Sequence, residues 1–248
     1  MKTLNKIIRI ISIIILALIL FLLFSHFIQM NRVSKTKFTS LVNPQTQSID
    51  EILKSVDEIT IEKKILSLRK HYYVMSDGVL IGEIKGKLFP LFGDVLKFND
   101  IHGNLIKKES QIKRLGLTQI RGFNISLNRL AEIKNKNNDV TGYIGEKKLK
   151  DWWRIKRIQY FYNEDYKVKG FGKPNSIFFN KDFKVYDNND SIDYIIDGNF
   201  FSPISKYTIN IIDNSDIDVE DVIFYTIIEN SIINSKLKES SSKNNTKK

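Results

Sequence analysis

The chain has 248 residues and a formal net charge of +11, from 39 basic and 28 acidic residues. It contains no cysteine, which excludes disulfide bonds and anchoring through a lipid-modified cysteine. The basic excess favours anionic partners such as a membrane surface, a nucleic acid or an acidic polymer. Beyond an apolar N-terminal segment, roughly 200 residues remain, which is the size of one ordinary domain.

Residues 7–29 form an apolar run in which no charged residue occurs between Ile10 and Ser25. As a helix, this run would be about 34 Å long, enough to cross the hydrocarbon core of a bilayer. The sequence therefore predicts a membrane anchor over residues 1–30. The apolar side chains of the predicted span include Ile7, Ile10, Leu16, Leu20, Phe24 and Phe27.

A cleaved signal peptide and a buried core helix are the alternatives to an anchor. Signal peptides have shorter apolar regions, roughly 7–15 residues, followed by a small-residue cleavage site that residues 25–30 do not contain. Basic residues flank both ends of the run, so the positive-inside comparison is close to a tie. Long domains translocate largely regardless of charge. We therefore expect a single-pass protein of the cell membrane, with a cytoplasmic N-terminus and an extracytoplasmic domain.

Residues 31–59 are predicted to form a linker and a short helix. The first part is polar and contains Pro44. Between residues 48 and 57, the apolar residues Ile49, Ile52, Leu53 and Val56 have helical spacing.

Residues 60–236 are predicted to form the folded domain, and most of its pattern has a period of two. Leu96 and Phe98 alternate with polar residues, as do Tyr207, Ile209 and Ile211. Such alternation indicates strands with one buried face, and short strands separated by turns indicate an antiparallel sandwich or barrel. Predicted turns contain Asp, Asn and Gly at residues 77–78, 100–103, 137–139, 163–165, 187–190 and 197–198. The similar sequences at residues 99–103 and 138–142 are interpreted as a repeated hairpin.

Residues 216–236 change the pattern again, to that of a helix. Acidic residues crowd its start, and the stretch from Val222 to Ile228 is apolar on every face apart from Thr226. A helix that is apolar all round is buried all round, and this stretch is too short for a second membrane span. We predict a helix inside a barrel, with a final β-strand as the alternative. Residues 237–248 are polar and are predicted to be a disordered basic tail.

This arrangement resembles the tubby C-terminal-like superfamily, in particular its LURP-one-related branch, which is distantly related to the phospholipid scramblases. The resemblance is carried by residues 71–78, 97–106 and 205–213 with the helix that follows, and it covers about residues 60–235. It implies a mainly β domain, an antiparallel barrel of about twelve strands closed around a central helix, so that no strand edge is exposed. It implies no enzyme activity. Tubby proteins bind phosphoinositides, and scramblases act on bilayer lipids. Unlike scramblases, this chain has no cysteine and carries its anchor at the N-terminus, so no scramblase residue is transferred to it.

The strongest candidate binding surface is residues 147–157, here called the basic segment. Tryptophan favours the bilayer interface, and basic clusters attract anionic lipid, so headgroup contact is one interpretation. A solvated hairpin with one tryptophan in the core is the alternative. The candidate contact residues are Lys147, Lys148, Lys150, Trp152, Trp153, Arg154, Lys156 and Arg157.

Catalytic motifs are not apparent. His26, His71 and His102 are far apart in sequence, and neither a nucleophile elbow nor a phosphate-binding loop occurs. We expect a non-enzymatic protein with no cofactor and no metal site. Its expected partners are the membrane, anionic phospholipid or a protein, and no nucleic acid. A structural module of the cell envelope, or an enzyme with a site assembled from dispersed residues, are the alternatives.

Overall fold

A computed structural model describes residues 2–42, 49–88, 95–113, 119–120, 123–124, 129–146, 158–174, 182–198, 205–213 and 216–245. Two helices precede the β domain: α1 spans Lys2–Val42 and α2 spans Ile49–Ser55. A third helix, α3, spans Val219–Asn245. The strands are β1 Glu58–Lys63, β2 His71–Ser76, β3 Val79–Gly86, β4 Val95–Asp100, β5 Leu105–Lys113, β6 Gln119–Ile120, β7 Phe123–Asn124, β8 Arg129–Asn135, β9 Val140–Glu146, β10 Gln159–Tyr162, β11 Val168–Pro174, β12 Phe183–Asp187, β13 Ile192–Gly198 and β14 Lys206–Ile211.

Twelve strands form one closed antiparallel barrel, in the order β1-β14-β13-β12-β11-β10-β9-β8-β5-β4-β3-β2. Neighbours in sequence are neighbours in the barrel, except that the small hairpin β6-β7 lies between β5 and β8 in the chain. The barrel closes where β1 pairs with both β14 and β2. This architecture confirms the predicted mainly β fold and the predicted number of strands.

Helix α3 fills the barrel. Ten consecutive residues, 221–230, are buried, which covers every face of nearly three helical turns. The inward residues of the strands pack with it in one core, as shown by the ring of Tyr225 against those of Phe161 on β10 and Phe183 on β12. The predicted internal helix is therefore confirmed, and the alternative of a final strand is wrong.

Strand alternation was predicted correctly where the structure describes it. Leu96, Phe98, Tyr207 and Ile209 face the core and are buried, while their sequence neighbours are more exposed. The sequence also alternates at Phe123, Ile125 and Leu127, which predicts a strand there, but only β7 (Phe123–Asn124) of that run lies within the described residues.

Several helices and strands differ in extent from the predicted boundaries. Helix α1 continues through Val42, where a polar linker was expected, because Val33 packs on the barrel and helix propagation beyond a formed helix costs little. The β domain begins at Glu58, two residues early. Helix α3 continues to Asn245, so the backbone of 237–245 is helical where a disordered tail was expected. The predicted turn at Asp197-Gly198 is the end of β13, where both residues pair with β14.

Candidate functional site

The basic segment, residues 147–157, lies outside the described residues, so its predicted contacts remain predictions. The strands that flank it are described. Strand β9 ends at Glu146 and β10 begins at Gln159, and these two residues are paired across the sheet. The segment therefore leaves and re-enters the barrel at one end.

Strand direction divides the chain connections between two ends of the barrel. Because all neighbouring strands are antiparallel, β1, β3, β5, β9, β11 and β13 point the same way, and the other six point the opposite way. The connections that follow the first set meet at one end, here called the loop end. They are residues 64–70, 87–94, 114–128, 147–158, 175–182 and 199–205. The opposite end, here called the turn end, holds residues 77–78, 101–104, 136–139, 163–167, 188–191 and the connection 212–218 into α3.

The turn end is built from tight hairpins, four of which repeat one hydrogen-bonding pattern. In each, a side-chain Oδ1 accepts bonds of 2.7–3.0 Å from the backbone N–H groups two and four residues further on. The fourth residue of each turn is left-handed, with φ between 61° and 92°. The accepting residues are Asp100, Asn135, Asn163 and Asp187. The repeated hairpin predicted from residues 99–103 and 138–142 is out of register, because Asp100 corresponds to Asn135 and not to Asp139.

Charge is distributed unequally between the two ends. The six connections at the loop end contain 13 basic and three acidic residues. Those at the turn end contain two basic and eight acidic residues. The basic segment supplies six of the basic residues at the loop end. By sequence, the connections that follow the strands at the loop end are therefore net basic, and those at the turn end are net acidic.

Helix α1 packs on the outside of the barrel and leaves it at the loop end. Val33 packs with Tyr73, Met75 and Leu80 on the outer face of β2 and β3. One turn earlier, Gln29 contacts Lys63, the last residue of β1 at the loop end. Moving from Val33 to Gln29 thus approaches the loop end, and the helix residues before Gln29 continue beyond it.

The apolar part of α1 is exposed in the part of the chain that the structure describes. Residues 6–36 form the one helical stretch among the described residues that is long and apolar enough to cross a membrane, and none of its most apolar window is buried. The predicted span residues Ile7, Ile10, Leu16, Leu20, Phe24 and Phe27 are all exposed. This apolar surface requires a cover from outside the described part of the chain.

Polar contacts fix the junction between α1 and the barrel. The amide of Gln29 donates to Oε1 of Glu62 (2.7 Å) and to the carbonyl of Lys63 (2.9 Å), and its Oε1 accepts from the N–H of Ile65 (2.8 Å). Arg32 pairs with the other carboxylate oxygen of Glu62. Glu62 is 2% exposed, so this carboxylate is both buried and fully paired. This pairing offsets the free-energy cost of burying the charge of Glu62.

A second polar group lies beside this junction on β2 and β3. Nε2 of His71 is 3.2 Å from Oε2 of Glu83, which also pairs with Lys85. The hydrogen bond with His71, together with Lys85, holds the pKa of Glu83 at about 2, although burial acts in the opposite direction. Burial and the carboxylates of Glu83 and Glu62 raise the pKa of Tyr73 to about 12. The wall beneath α1 therefore carries a compact cluster of polar and ionisable side chains.

Inside the barrel, polar groups orient α3. Lys107 on β5 donates to Asp218 (2.7 Å) and Asp221 (2.8 Å) at the start of the helix. Burial lowers the pKa of Lys107, but the nearby carboxylates more than offset this and raise it, so the ammonium stays charged. Near the loop end of the barrel, the side-chain amide of Gln159 donates to Glu229 of α3 (2.7 Å). Helix α3 consequently runs from the turn end towards the loop end.

The described residues include no group of three or more His, Asp or Glu side chains that could hold a metal ion. His71 is in the polar cluster beneath α1, and His102 is exposed in a turn of the turn end. Sequence reasoning missed Gln29 and Glu62. The signal available for them was a polar residue at the end of the apolar run.

The fold and the junction define a class: a closed antiparallel barrel that is filled by its own C-terminal helix and has an apolar N-terminal helix docked on its wall. Comparison with protein-family models, with curated proteins and with solved structures finds no match to this chain.

Proposed function

We propose that this chain is a single-pass membrane-anchored, non-enzymatic barrel protein that binds anionic phospholipid headgroups at the loop end. The observation that carries the proposal is the direction of α1. If residues 7–28 span a bilayer, the helix leaves the barrel towards that bilayer at the loop end. The six connections of the loop end contain 13 basic residues. Basic residues near an anionic surface each contribute about 1 kcal/mol of attraction.

The docking of α1 supports a retained anchor over a cleaved signal. Gln29 and Val33 cover Glu62 and Tyr73 on the barrel wall. Cleavage at the end of the apolar run would remove Gln29 and leave the buried carboxylate of Glu62 without its amide partner, at a cost of about 1–3 kcal/mol.

The family assignment is part of the proposal. A twelve-stranded barrel around a C-terminal helix is the fold that the resemblance to the LURP-one-related branch implies, and this agreement supports the assignment. The same resemblance favours lipid binding over catalysis.

Tryptophan fluorescence tests headgroup binding without a label, because both tryptophans of the chain, Trp152 and Trp153, belong to the basic segment. The full chain is reconstituted in vesicles that contain brominated phosphatidylcholine, with or without brominated phosphatidylserine. We expect stronger quenching with the anionic lipid, and we expect high salt to reduce the difference because salt screens the attraction. Absence of quenching, or equal quenching by both lipids at all salt concentrations, would contradict the proposal.

A Lys147/Lys148/Arg154/Arg157→Ala variant is the matched control, since it removes charge while retaining both tryptophans. It should lose the preference for phosphatidylserine. If the variant keeps a protein partner of the native chain and the native chain shows no lipid preference, the second candidate is favoured, namely a structural or interaction module of the envelope.

Sidedness is tested separately. The proposal has the N-terminus in the cytoplasm and the barrel outside. Because the chain has no native cysteine, a His102→Cys variant offers one thiol at the exposed turn end. A membrane-impermeant maleimide should label it in intact cells, and labelling only after lysis would place the barrel inside.

A further inference from the structure

The connection between β1 and β2, residues 64–70, exposes two leucines at the loop end. Leu68 is 92% exposed and Leu66 is 54% exposed. Leu88, which follows β3 at the same end, is also exposed. Exposed apolar side chains that occur singly are ordinary, but Leu66 and Leu68 lie together on a connection whose Ile65 is bonded to Gln29 of the apolar helix.

Hydrogen bonds hold the loop in place. The N–H of Ile65 donates to Gln29 of α1 (2.8 Å), and the N–H of Lys64 donates to the carbonyl of His71 (2.8 Å). The carbonyl of Lys70 accepts a bond from the N–H of Gly86 (2.7 Å). The bond to Gln29 matters most, because it sets the position of the loop relative to the last apolar turns of α1.

The backbone of Leu66 is left-handed, with φ of 52°. A β-carbon makes this conformation costly, and glycine or asparagine is the usual occupant. A leucine held here with its side chain in the open is a strained, exposed apolar residue, which is a pattern that occurs at binding surfaces.

Resting on the proposed membrane anchoring, we infer that the β1–β2 loop inserts Leu66 and Leu68 into the bilayer interface. The bilayer is the partner of these leucines because the loop is hydrogen-bonded to Gln29, the residue at which the predicted span ends. The charge of the loop fits the same partner: it carries Lys64, Arg69 and Lys70 and no acidic residue. Leucines enter the acyl boundary, while basic side chains beside them reach the headgroups.

The test uses two single-cysteine variants of the full chain, Leu68→Cys at the loop end and His102→Cys at the turn end. Both sites are exposed, and no native cysteine competes for the label. Each variant is labelled with an environment-sensitive fluorophore and reconstituted in phosphatidylcholine nanodiscs. The label at position 68 should emit at shorter wavelength than that at position 102 and should be quenched by lipids spin-labelled near the headgroup. Equal emission at the two sites, without quenching at position 68, would overturn the inference.

This experiment separates the inference from the proposed headgroup binding, because insertion of leucines does not require anionic lipid. Quenching at position 68 in phosphatidylcholine supports the inference even if the tryptophans show no preference for phosphatidylserine. Conversely, a tryptophan preference for phosphatidylserine with no quenching at position 68 overturns the inference and leaves headgroup binding standing.

Discussion

The side-chain amide of Gln29 on α1 lies 2.7 Å from the buried carboxylate of Glu62 on β1. This contact joins the apolar helix to the wall of the barrel and determines which end of the barrel lies towards that helix. Because Gln29 also binds the carbonyl of Lys63 and the N–H of Ile65, where the β1–β2 loop begins, one residue joins the helix, the strand and the start of the loop.

Replacing Gln29 with Ala should loosen this junction. Loss of the hydrogen bond to a buried carboxylate costs about 1.5–3 kcal/mol. Hydrogen exchange should show faster exchange of the Ile65 amide and of α1 around residues 29–33. Glu62→Gln should have a similar effect, whereas Glu58→Gln, an exposed position on the same strand, should have none. Equal effects at the two glutamates would contradict this account of the junction.

Glu83 should make stability depend on pH in the acid range. Its pKa is about 2 in the folded protein against an ordinary value of 4.5, so the native state binds fewer protons than the unfolded state. The resulting stabilisation, on the order of 3 kcal/mol, is complete above about pH 4.5 and is lost as the pH falls towards 2. Thermal unfolding across this range should show the loss in the native chain and a flatter profile in Glu83→Gln. Parallel profiles would show that Glu83 contributes no such linkage.

Lys107 should be essential for seating α3. Lys107→Met leaves Asp218 and Asp221 without their cation, and breaking a buried ion pair from one side costs about 3 kcal/mol. Urea unfolding of the detergent-solubilised chain measures the change. Lys108→Met, at the next position of β5, is the matched control and should change stability little. A double variant, Lys107→Met with Asp221→Asn, should recover part of the loss.

Gly172 should tolerate no side chain, because a β-carbon there would overlap the ring of Tyr225 on α3. Overpacking of this kind costs about 1–3 kcal/mol. In a Tyr225→Leu background the cost of Gly172→Ala should shrink, because the smaller side chain leaves room. An undiminished cost in that background would indicate that the strand and not the internal helix imposes the glycine.

The sequence predicted the strands and the internal helix because the spacing of apolar residues depends on which faces of each element are buried. Leu96 and Phe98 alternate because one face of β4 is buried, and the stretch from Val222 to Ile228 is apolar on all faces because strands surround it. Glu62 occupies an outward position in the alternation of β1, so the sequence predicts that its side chain is exposed to solvent. Only α1, whose Gln29 is 33 positions away, turns that outward face into a buried one.

The unequal charge of the two sets of connections was also beyond local reasoning. The basic excess was visible in composition, but which connections share one end of the barrel depends on strand directions throughout the closed sheet. The turn repeat was misregistered for a related reason. Asn135 and Asp100 are equivalent because each accepts the same backbone hydrogen bonds in its turn. The sequence comparison instead aligned Asn138-Asp139 with Asn99-Asp100, because the residue types are the same.

We propose that the loop end of the barrel faces the bilayer. Resonance energy transfer tests it directly, from a donor on Lys87→Cys at the loop end or on Asn189→Cys at the turn end to acceptor-labelled lipid headgroups in nanodiscs. Transfer from position 87 should be stronger than transfer from position 189. Equal transfer from both positions, or stronger transfer from position 189, would contradict the proposal.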